Sequence, residues 1–500
     1  MAKIINWIKA NKKEFLVLGF ILFLGAFFRL YRIADYMTFL GDEGRDVIVV
    51  RRFLVELRPM LIGPGTSIGN MYLGPLYYYL VAPALFLAAF SPVGPAVLVA
   101  LIGIATIFLV WFIGRKWFGP TGGLASAALY ALAPAVIIYA RSSWNPNIMP
   151  FFSLLAIFLI WKIFKVNRIS GKVGWWLIIL GVTFAFVLQS HYLGLLLLPT
   201  AGLFWLMKLV RLKERKQYLF YSLLSVLVFL FLMSPLVIFD ARHGWRNFAA
   251  VKIFFTVRQE TVSIRPWKAI PKAWPVWQKA VTNLVTAGNQ TLGLVTSLVL
   301  AGYLVWSLVK KKNVFLLTWL GFAVLGLSLY KQEIYDHYYG FFFTAPFLLL
   351  GGLVTQILKI KSKIPNVLLL LILGSLVWIN LTNSPLFKEP NYQLRRAKEV
   401  AQKINGEAKG KQFNLAVIAE RNYQDGYKYF LLLAKAAVVE IDAQKPETIT
   451  DQLFVVCEMP PEKCDPTHSP KAEVANFGWS KIESAWEVSG ARLYKLAHTK

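Results

Sequence analysis

The chain of 500 residues is 57% hydrophobic and 15% aromatic, and apolar runs of nearly 20 residues recur along it. Each run is long enough to cross about 30 Å of hydrocarbon, which excludes an ordinary soluble protein and predicts an all-α polytopic membrane bundle. The net charge of +28 does not indicate nucleic acid, since residues 1–384 hold 37 Lys and Arg against 11 Asp and Glu, and residues 385–500 hold 17 against 15. We therefore expect a membrane domain over 1–384 and a soluble α/β domain over 385–500.

Clusters of Lys and Arg between the apolar runs set the expected topology, because basic residues concentrate in short cytoplasmic loops. One apolar piece, residues 74–90, would place every later cluster outside if it crossed, so it is predicted to lie along or dip into the outer face. The remaining runs predict about 11 spans, a cytoplasmic N-terminus and an extracytoplasmic tail in a plasma or inner membrane. These spans are 15–30, 93–113, 121–139, 148–165, 174–190, 192–209, 218–239, 290–309, 314–330, 338–358 and 365–381.

The long loop after the span 218–239 has two parts. Its first part, Trp245 to Arg258, mixes aromatic and basic residues as an interfacial helix does. Its later part contains Pro266, Pro271 and Pro275, which predict a broken chain there.

The tail is predicted to alternate helices and strands. The expected helices are 392–404 and 425–434, and the expected strands are 413–419, 453–457 and 492–496. Both cysteines of the chain, Cys457 and Cys464, are in the tail. They are expected either to close a small disulfide loop in an oxidising compartment or to remain two unpaired thiols.

Unusual polar motifs collect in the outer loops of this topology. The stretch Asp42-Glu43-Gly44-Arg45-Asp46 is the densest, and others surround Arg141, His191, Asp240 and His337. A carboxylate beside arginines and histidines at a membrane face suits transfer of a group from an anionic lipid carrier to a hydroxyl or amine. The carboxylate would act as general base, and the cations would hold the phosphate leaving group.

Structural alternatives exist for each motif. Asp42 and Glu43 could cap a helix that begins before Val47, and Asp46 could pair with Arg45 or with other arginines. The segment from Arg141 to Asn147 could be a helix-breaking turn, and the histidines could be interfacial residues. No spacing among the five histidines indicates a metal site.

The chain resembles the phospholipid-carrier-dependent glycosyltransferases of the GT-C fold, which include protein O-mannosyltransferases and lipid A aminoarabinose transferases. The resemblance covers roughly residues 10–380. Its most specific part is Asp42-Glu43-Gly44-Arg45, which matches that family's Asp-Glu-x-Arg in the first outer loop. The run Gly74 to Tyr79 is similar to the family's Pro-Pro-Leu-x-Tyr-x segment, whereas asparagines after Arg141 replace a family acid and Leu73 replaces a basic residue.

The resemblance implies inverting transfer of a sugar from a polyprenyl-phosphate donor to a lipid, glycan or protein acceptor on the outer membrane face. It implies no required cofactor, although a divalent metal is not excluded. Asp42 is expected as the catalytic base with Glu43 orienting a substrate. The expected residues for the donor phosphate or the substrate are Arg45, Arg141, Asn147, His191, Arg242, His243, Lys331, His337 and Tyr338.

Two other classes of function stay open at this point. A transporter or flippase of a lipid-linked sugar should carry charges at mid-span and show paired halves, whereas the polar residues here are at span ends. A scaffold that only anchors the tail would have no need of so many charged outer loops.

Overall fold

The membrane part of the chain is a bundle of helices, several of which are interrupted by proline or by short 3-10 turns. The computed structural model describes residues 2–66, 71–256, 261–263, 265–360, 362–420 and 423–499. The helices of this part are α1 (Ala2–Ala10), α2 (Lys12–Leu30), α3 (Ile33–Tyr36), α4 (Gly41–Glu56), α5 (Leu76–Leu87), α6 (Val93–Phe118), α7 (Pro120–Leu132), α8 (Pro134–Tyr139), α9 (Met149–Lys165), α10 (Gly171–Ser190), α11 (Leu198–Arg211), α12 (Arg215–Arg242), α13 (Arg246–Thr256), α14 (Ile270–Val285), α15 (Gln290–Val309), α16 (Val314–Ser328), α17 (Ala345–Ile357) and α18 (Lys363–Thr382).

Seven helical segments among the described residues are long and apolar enough to cross a membrane. The number is eight if the pair Asp336–Phe342 and Ala345–Ile357, bent by 57°, makes one crossing. Helices lie at all eleven predicted spans, but α7 ends before Pro134 and α16 has only 15 residues. The helical bundle is confirmed, whereas the count of eleven spans stays a prediction.

The apolar piece at residues 74–90 forms α5, which has 12 residues. At 1.5 Å per residue this helix is about 18 Å long, too short to cross a bilayer core of about 30 Å. The helix α13 likewise lies where an interfacial helix is predicted, and the end of that predicted segment lies outside the described residues. Both helices agree with placement along a membrane face.

The prediction that prolines break the segment after α13 is wrong. Residues 270–285 form the continuous helix α14, with Pro271 in its first turn, where its missing N–H costs nothing, and Pro275 inside it. The helix buries an apolar face that packs in the bundle core, and this burial outweighs the local preference of proline. The buried residues of that face are Val276, Trp277, Ala280, Val281, Leu284 and Val285.

The tail forms a four-stranded sheet with helices on both faces. Strand order is β1-β2-β4-β3, with β1 parallel to β2 and the other neighbours antiparallel. Both β1 and β2 are buried along their whole length, as strands covered on two faces are. Cys457 and Cys464 form a disulfide. The elements are α19 (Gln393–Ala408), β1 (Asn414–Ile418), α20 (Gln424–Leu433), β2 (Gln452–Cys457), α21 (Ala472–Phe477), β3 (Ser480–Val488) and β4 (Ala491–His498).

The tail packs directly on the membrane part. One hydrophobic cluster includes residues of α4, α5 and α6 together with residues of α19, α20 and the sheet. The centroid of the Phe39 ring is 6.4 Å from that of Tyr429 and 5.7 Å from that of Phe430. The Tyr429 hydroxyl donates a hydrogen bond to the Phe90 carbonyl. The α/β tail is thus positioned against the helix that carries the acidic motif.

Candidate active site

The two acids of the Asp-Glu-x-Arg motif differ in their surroundings within the first turn of α4. Glu43 is buried, and its Oε2 accepts a hydrogen bond from the Leu40 N–H at 3.0 Å. Asp42 is about half exposed, with its side chain 49% accessible, and its Oδ1 accepts from Arg45 Nη1 at 2.8 Å. The capping alternative therefore fits Glu43, whereas Asp42 presents its carboxylate to solvent.

Arg45 lies between two carboxylates. Its Nη2 is 2.8 Å from Oδ1 of Asp46, in addition to the contact with Asp42. Asp46 is only 2% exposed and also accepts a hydrogen bond from the Tyr78 hydroxyl at 3.0 Å, so it joins α4 to α5. The salt-bridge alternative fits Asp46. Arg45 also fixes the orientation of the Asp42 carboxylate through its charged hydrogen bond.

A cavity of about 750 Å³ opens beside this turn of α4. This volume lies within the range of roughly 300–1,000 Å³ that is typical of small-molecule sites. The structure brings four of the predicted site residues to its wall, namely Asp42, Glu43, Asn147 and His337. The remaining lining residues are Thr38, Leu40, Ile138, Tyr139, Ser142, Trp144, Lys279, Asn283, Glu333, Ile334, Tyr335 and Asp336.

The sequence interpretation missed the part of the wall that α14 supplies. Lys279 and Asn283 are one helical turn apart, and Asn283 Nδ2 donates to Asp336 Oδ1 at 2.6 Å. Lys279 Nζ donates to the Ile334 carbonyl at 3.1 Å. The i, i+4 spacing of these two residues is visible in the sequence, but the prolines that precede them predict a broken chain.

The part of the chain that the structure describes contains no cluster of potential metal ligands. No group of three or more His, Cys, Asp or Glu side chains is close enough there to hold an ion. Asp42 and Glu43 are the two acids of α4 that reach the cavity, and their contacts are the hydrogen bonds given above.

Arg141 does not line the cavity. It is 1% exposed, and its guanidinium donates to the carbonyl oxygens of Phe28 at 2.6 Å and Tyr31 at 2.7 Å. These carbonyls belong to the C-terminal end of α2, where the last turn of a helix leaves acceptors unpaired. Arg141 therefore caps α2 and lies under the ring of Tyr36 rather than in reach of a substrate in the cavity.

His191 and Tyr338 lie behind the cavity wall. The His191 ring is 5.8 Å from the His337 ring and 5.1 Å from the Tyr338 ring, measured between centroids. His191 Nδ1 accepts a hydrogen bond from the Leu193 N–H at 3.2 Å, and burial lowers the pKa of His191 to about 3. His191 is therefore neutral near pH 7, and it supports His337 by packing instead of offering a positive charge.

Arg242, His243 and Lys331 are not among the residues that line the cavity. Arg242 and His243 are exposed at the C-terminal end of α12, where the His243 ring stacks on Phe239 with centroids 4.0 Å apart. Lys331 precedes the wall residue Glu333 by two positions, and its backbone N–H donates to the Thr261 carbonyl. A phosphate inside the cavity would therefore meet Lys279 before it met these residues.

The buried acids of α4 should make stability depend on pH. Burial raises the pKa of Glu43 from its ordinary 4.5 to about 7. A carboxyl with a higher pKa in the folded state binds its proton more tightly there, so the free energy of unfolding should fall as pH rises from 4.5 to 7. In detergent, the unfolding temperature of Glu43→Gln should fall less steeply with pH across this range than that of the wild type. Glu56 is an exposed acid on the same helix, so Glu56→Gln should keep the wild-type slope. Equal slopes for all three proteins would contradict the prediction.

Comparisons with known proteins agree with this architecture. Residues 73–239, about a third of the chain, match the family model described as dolichyl-phosphate-mannose-protein mannosyltransferase. A segment of 142 residues is 29% identical to the Putative mannosyltransferase YkcB of Bacillus subtilis (strain 168). That segment is 28% of this chain, and it spans only 19% of the length of that relative.

Two solved structures are similar over most of the chain. ArnT from Cupriavidus metallidurans, bound to undecaprenyl phosphate, is 14% identical with a TM-score of 0.61, covering 98% of both chains. The archaeal oligosaccharyltransferase AglB from Archaeoglobus fulgidus, in complex with an inhibitory peptide and a dolichol-phosphate, is 12% identical with a TM-score of 0.55, covering 90% of this chain and 70% of that one. The predicted resemblance is confirmed, and the chain has the GT-C fold of the phospholipid-carrier-dependent glycosyltransferases.

Proposed function

We propose that this chain is an integral membrane glycosyltransferase that moves a sugar from a polyprenyl-phosphate donor to a hydroxyl or amine of an acceptor. The observation that carries the proposal is one cavity on a GT-C fold, lined by the half-exposed Asp42 and by the cation Lys279. A general base and a phosphate partner are the two groups that this transfer needs. The undecaprenyl phosphate of ArnT and the dolichol-phosphate of AglB are donor carriers of the same chemical class.

The proposed reaction is a single displacement. The acceptor oxygen or nitrogen forms a bond to the anomeric carbon and gives its proton to Asp42. The bond between that carbon and the phosphate oxygen breaks, and its electron pair leaves with the polyprenyl phosphate. Attack from the side opposite the leaving group inverts the anomeric configuration. Arg45 holds the Asp42 carboxylate in place, because Arg45 Nη1 is 2.8 Å from Asp42 Oδ1.

Lys279 is our candidate for the phosphate partner. Among the described residues that line the cavity, it is the only lysine or arginine. Its side chain is exposed, and its one described hydrogen bond, to the Ile334 carbonyl, is easily exchanged for a charged acceptor. His337, which shares the wall, would pack against the sugar or the phosphate.

Removal of this charge should weaken donor binding. We expect Lys279→Gln to raise the KM for the lipid-linked donor by about 10- to 150-fold, since a charged hydrogen bond is worth roughly 1.5–3 kcal/mol, with a smaller change in KM for the acceptor. Lys272→Gln is the matched control, because Lys272 is exposed on the same helix two turns away and does not line the cavity. Unchanged donor KM in Lys279→Gln, measured by initial rates at varied donor concentration, would argue against this assignment.

The membrane side of the reaction follows from the charge pattern of the loops. Basic clusters favour a cytoplasmic N-terminus, which puts the cavity and the C-terminal domain on the extracytoplasmic face. The plasma or inner membrane is the location in which a polyprenyl-phosphate sugar meets lipid, glycan or protein acceptors on that face.

A donor panel tests the function as a whole. The purified full-length chain is incubated with polyprenyl phosphates that carry different hexoses or pentoses, together with lipid, glycan and peptide acceptors. Mass spectrometry is expected to detect a glycosylated acceptor and free polyprenyl phosphate in equal amounts, and NMR of the product reports whether the anomeric configuration is inverted. Absence of turnover with every donor, combined with movement of a lipid-linked sugar across proteoliposomes, would overturn the proposal in favour of a flippase.

A further inference from the structure

A second cavity, of about 460 Å³, lies at the opposite end of the helical bundle. It opens where α6, α9 and α11 end and where the chain turns from α15 into α16. Asn147 of the first cavity precedes α9, whereas Lys165 of the second cavity ends it, so the two sites are about 27 Å apart along this helix. They share no lining residue, and the second cavity therefore takes no part in the proposed transfer.

Four cations from four different helix ends converge on the second cavity. Lys116 is in the last turn of α6, Lys165 and Arg211 are the last residues of α9 and α11, and Lys311 lies between α15 and α16. No carboxylate is among the described residues that line it. Positive charges that are held together without an acidic partner repel one another, and an anion between them removes this repulsion.

The walls between the cations are aromatic. The Trp117 ring is 6.1 Å from those of Trp161 and Phe315, and the Arg211 guanidinium lies 5.5 Å from the Phe164 ring centroid. Aromatic rings thus form the wall between the four cations.

The rim of the cavity continues into exposed apolar surface. Val210, next to Arg211, is 69% exposed, and Val309 and Val314, which flank Lys311, are 73% and 49% exposed. Exposed valines at the end of membrane helices face acyl chains, and a soluble anion would have no use for such a surface. A ligand with a charged head and apolar chains matches both parts of the site.

We propose that this cavity binds the phosphate headgroup of an anionic glycerophospholipid of the membrane leaflet at this end of the bundle. The four cations surround the phosphate, and the acyl chains lie against the exposed valines. A lipid bound there would link the ends of α6, α9 and α11.

Binding by the full-length protein in detergent tests the proposal. Phosphatidylglycerol in mixed micelles should raise the unfolding temperature with a saturable dependence on lipid concentration, whereas phosphatidylcholine and 10 mM inorganic phosphate should not. The double substitution Lys165→Gln with Arg211→Gln should weaken the apparent affinity for phosphatidylglycerol about tenfold or more, since each basic residue contributes to headgroup attraction. Lys359→Gln with Lys363→Gln is the matched control, because it removes two exposed charges near the same end of the bundle but outside the cavity.

A conservative pair protects the test against a folding defect. Lys165→Arg with Arg211→Lys keeps both charges and should keep the affinity close to that of the wild type. Equal affinities in the Gln pair and the control pair would overturn the proposal. Stabilisation by inorganic phosphate alone would also overturn it, because the site would then bind a soluble anion instead of a lipid.

Discussion

Replacement of Asp42 by asparagine is expected to lower sugar transfer by about 10²–10⁴-fold, the usual contribution of a general base. The amide keeps the shape of the side chain and can still accept the hydrogen bond from Arg45, but it cannot take a proton from the acceptor. Because Asp42 is about half exposed, the substitution should leave the unfolding temperature nearly unchanged. Initial rates at saturating donor and acceptor measure the loss directly.

Two companion variants identify the carboxylate that acts as base. Glu56→Gln removes an exposed acid at the other end of α4 and should retain full activity. Glu43→Gln removes the buried acid that caps Leu40 and should lower activity less than Asp42→Asn if Glu43 only orients the substrate. If Asp42→Asn were fully active and Glu43→Gln inactive, Glu43 rather than Asp42 would be the base.

Replacement of Gly44 by alanine is expected to separate the C-terminal domain from α4. A Cβ at this position would lie 2.3 Å from the backbone C of Asp425 and the backbone N of Gly426, so one of the two helices must shift. Overpacking of this kind costs about 1–3 kcal/mol in a well-packed core. We expect a lower unfolding temperature, faster proteolysis around α20, and reduced transfer because α4 carries Asp42.

Gly302→Ala is the matched control for this substitution. Gly302 is also in a helix, α15, but a Cβ there meets no atom within 4 Å. Alanine should be neutral or slightly stabilising at this position, because it favours a helix over glycine. A Gly44→Ala protein with the stability, protease resistance and activity of the Gly302→Ala protein would show that the tail does not hold α4 in place.

The tail helix α20 adds charge as well as contact beside the motif. Asp425, at its start, is partly buried, and burial raises the pKa of this carboxyl while Lys428 and Arg45 lower it. Gly44 and Asp425 meet because α20 packs along α4. The proposed active site is therefore lined by the membrane part, and the C-terminal domain packs on the helix that carries Asp42.

The sequence by itself determined the class of the protein and the positions of most elements. Apolar runs and basic clusters are properties of consecutive residues, so they predicted the helices of the bundle and the short α5 without knowledge of packing. In the tail, the helices α19 and α20 and the strands β1, β2 and β4 lie close to their predicted positions, whereas the short helix α21 was not predicted. The missed strand, β3, is an edge strand whose charged residues, such as Lys481 and Glu487, hide the usual alternation.

The motif at Asp42 was also readable from the sequence, but the rest of the site was decided by tertiary structure. Lys279 reaches the cavity because burial of one face of α14 outweighs the effect of its prolines. Arg141 lies in a polar motif that suggested a site residue. Its guanidinium instead donates to the otherwise unpaired carbonyls at the end of α2, outside the cavity. Which charged side chains face a substrate depends on the buried polar groups that compete for them, and those partners are far away in the sequence.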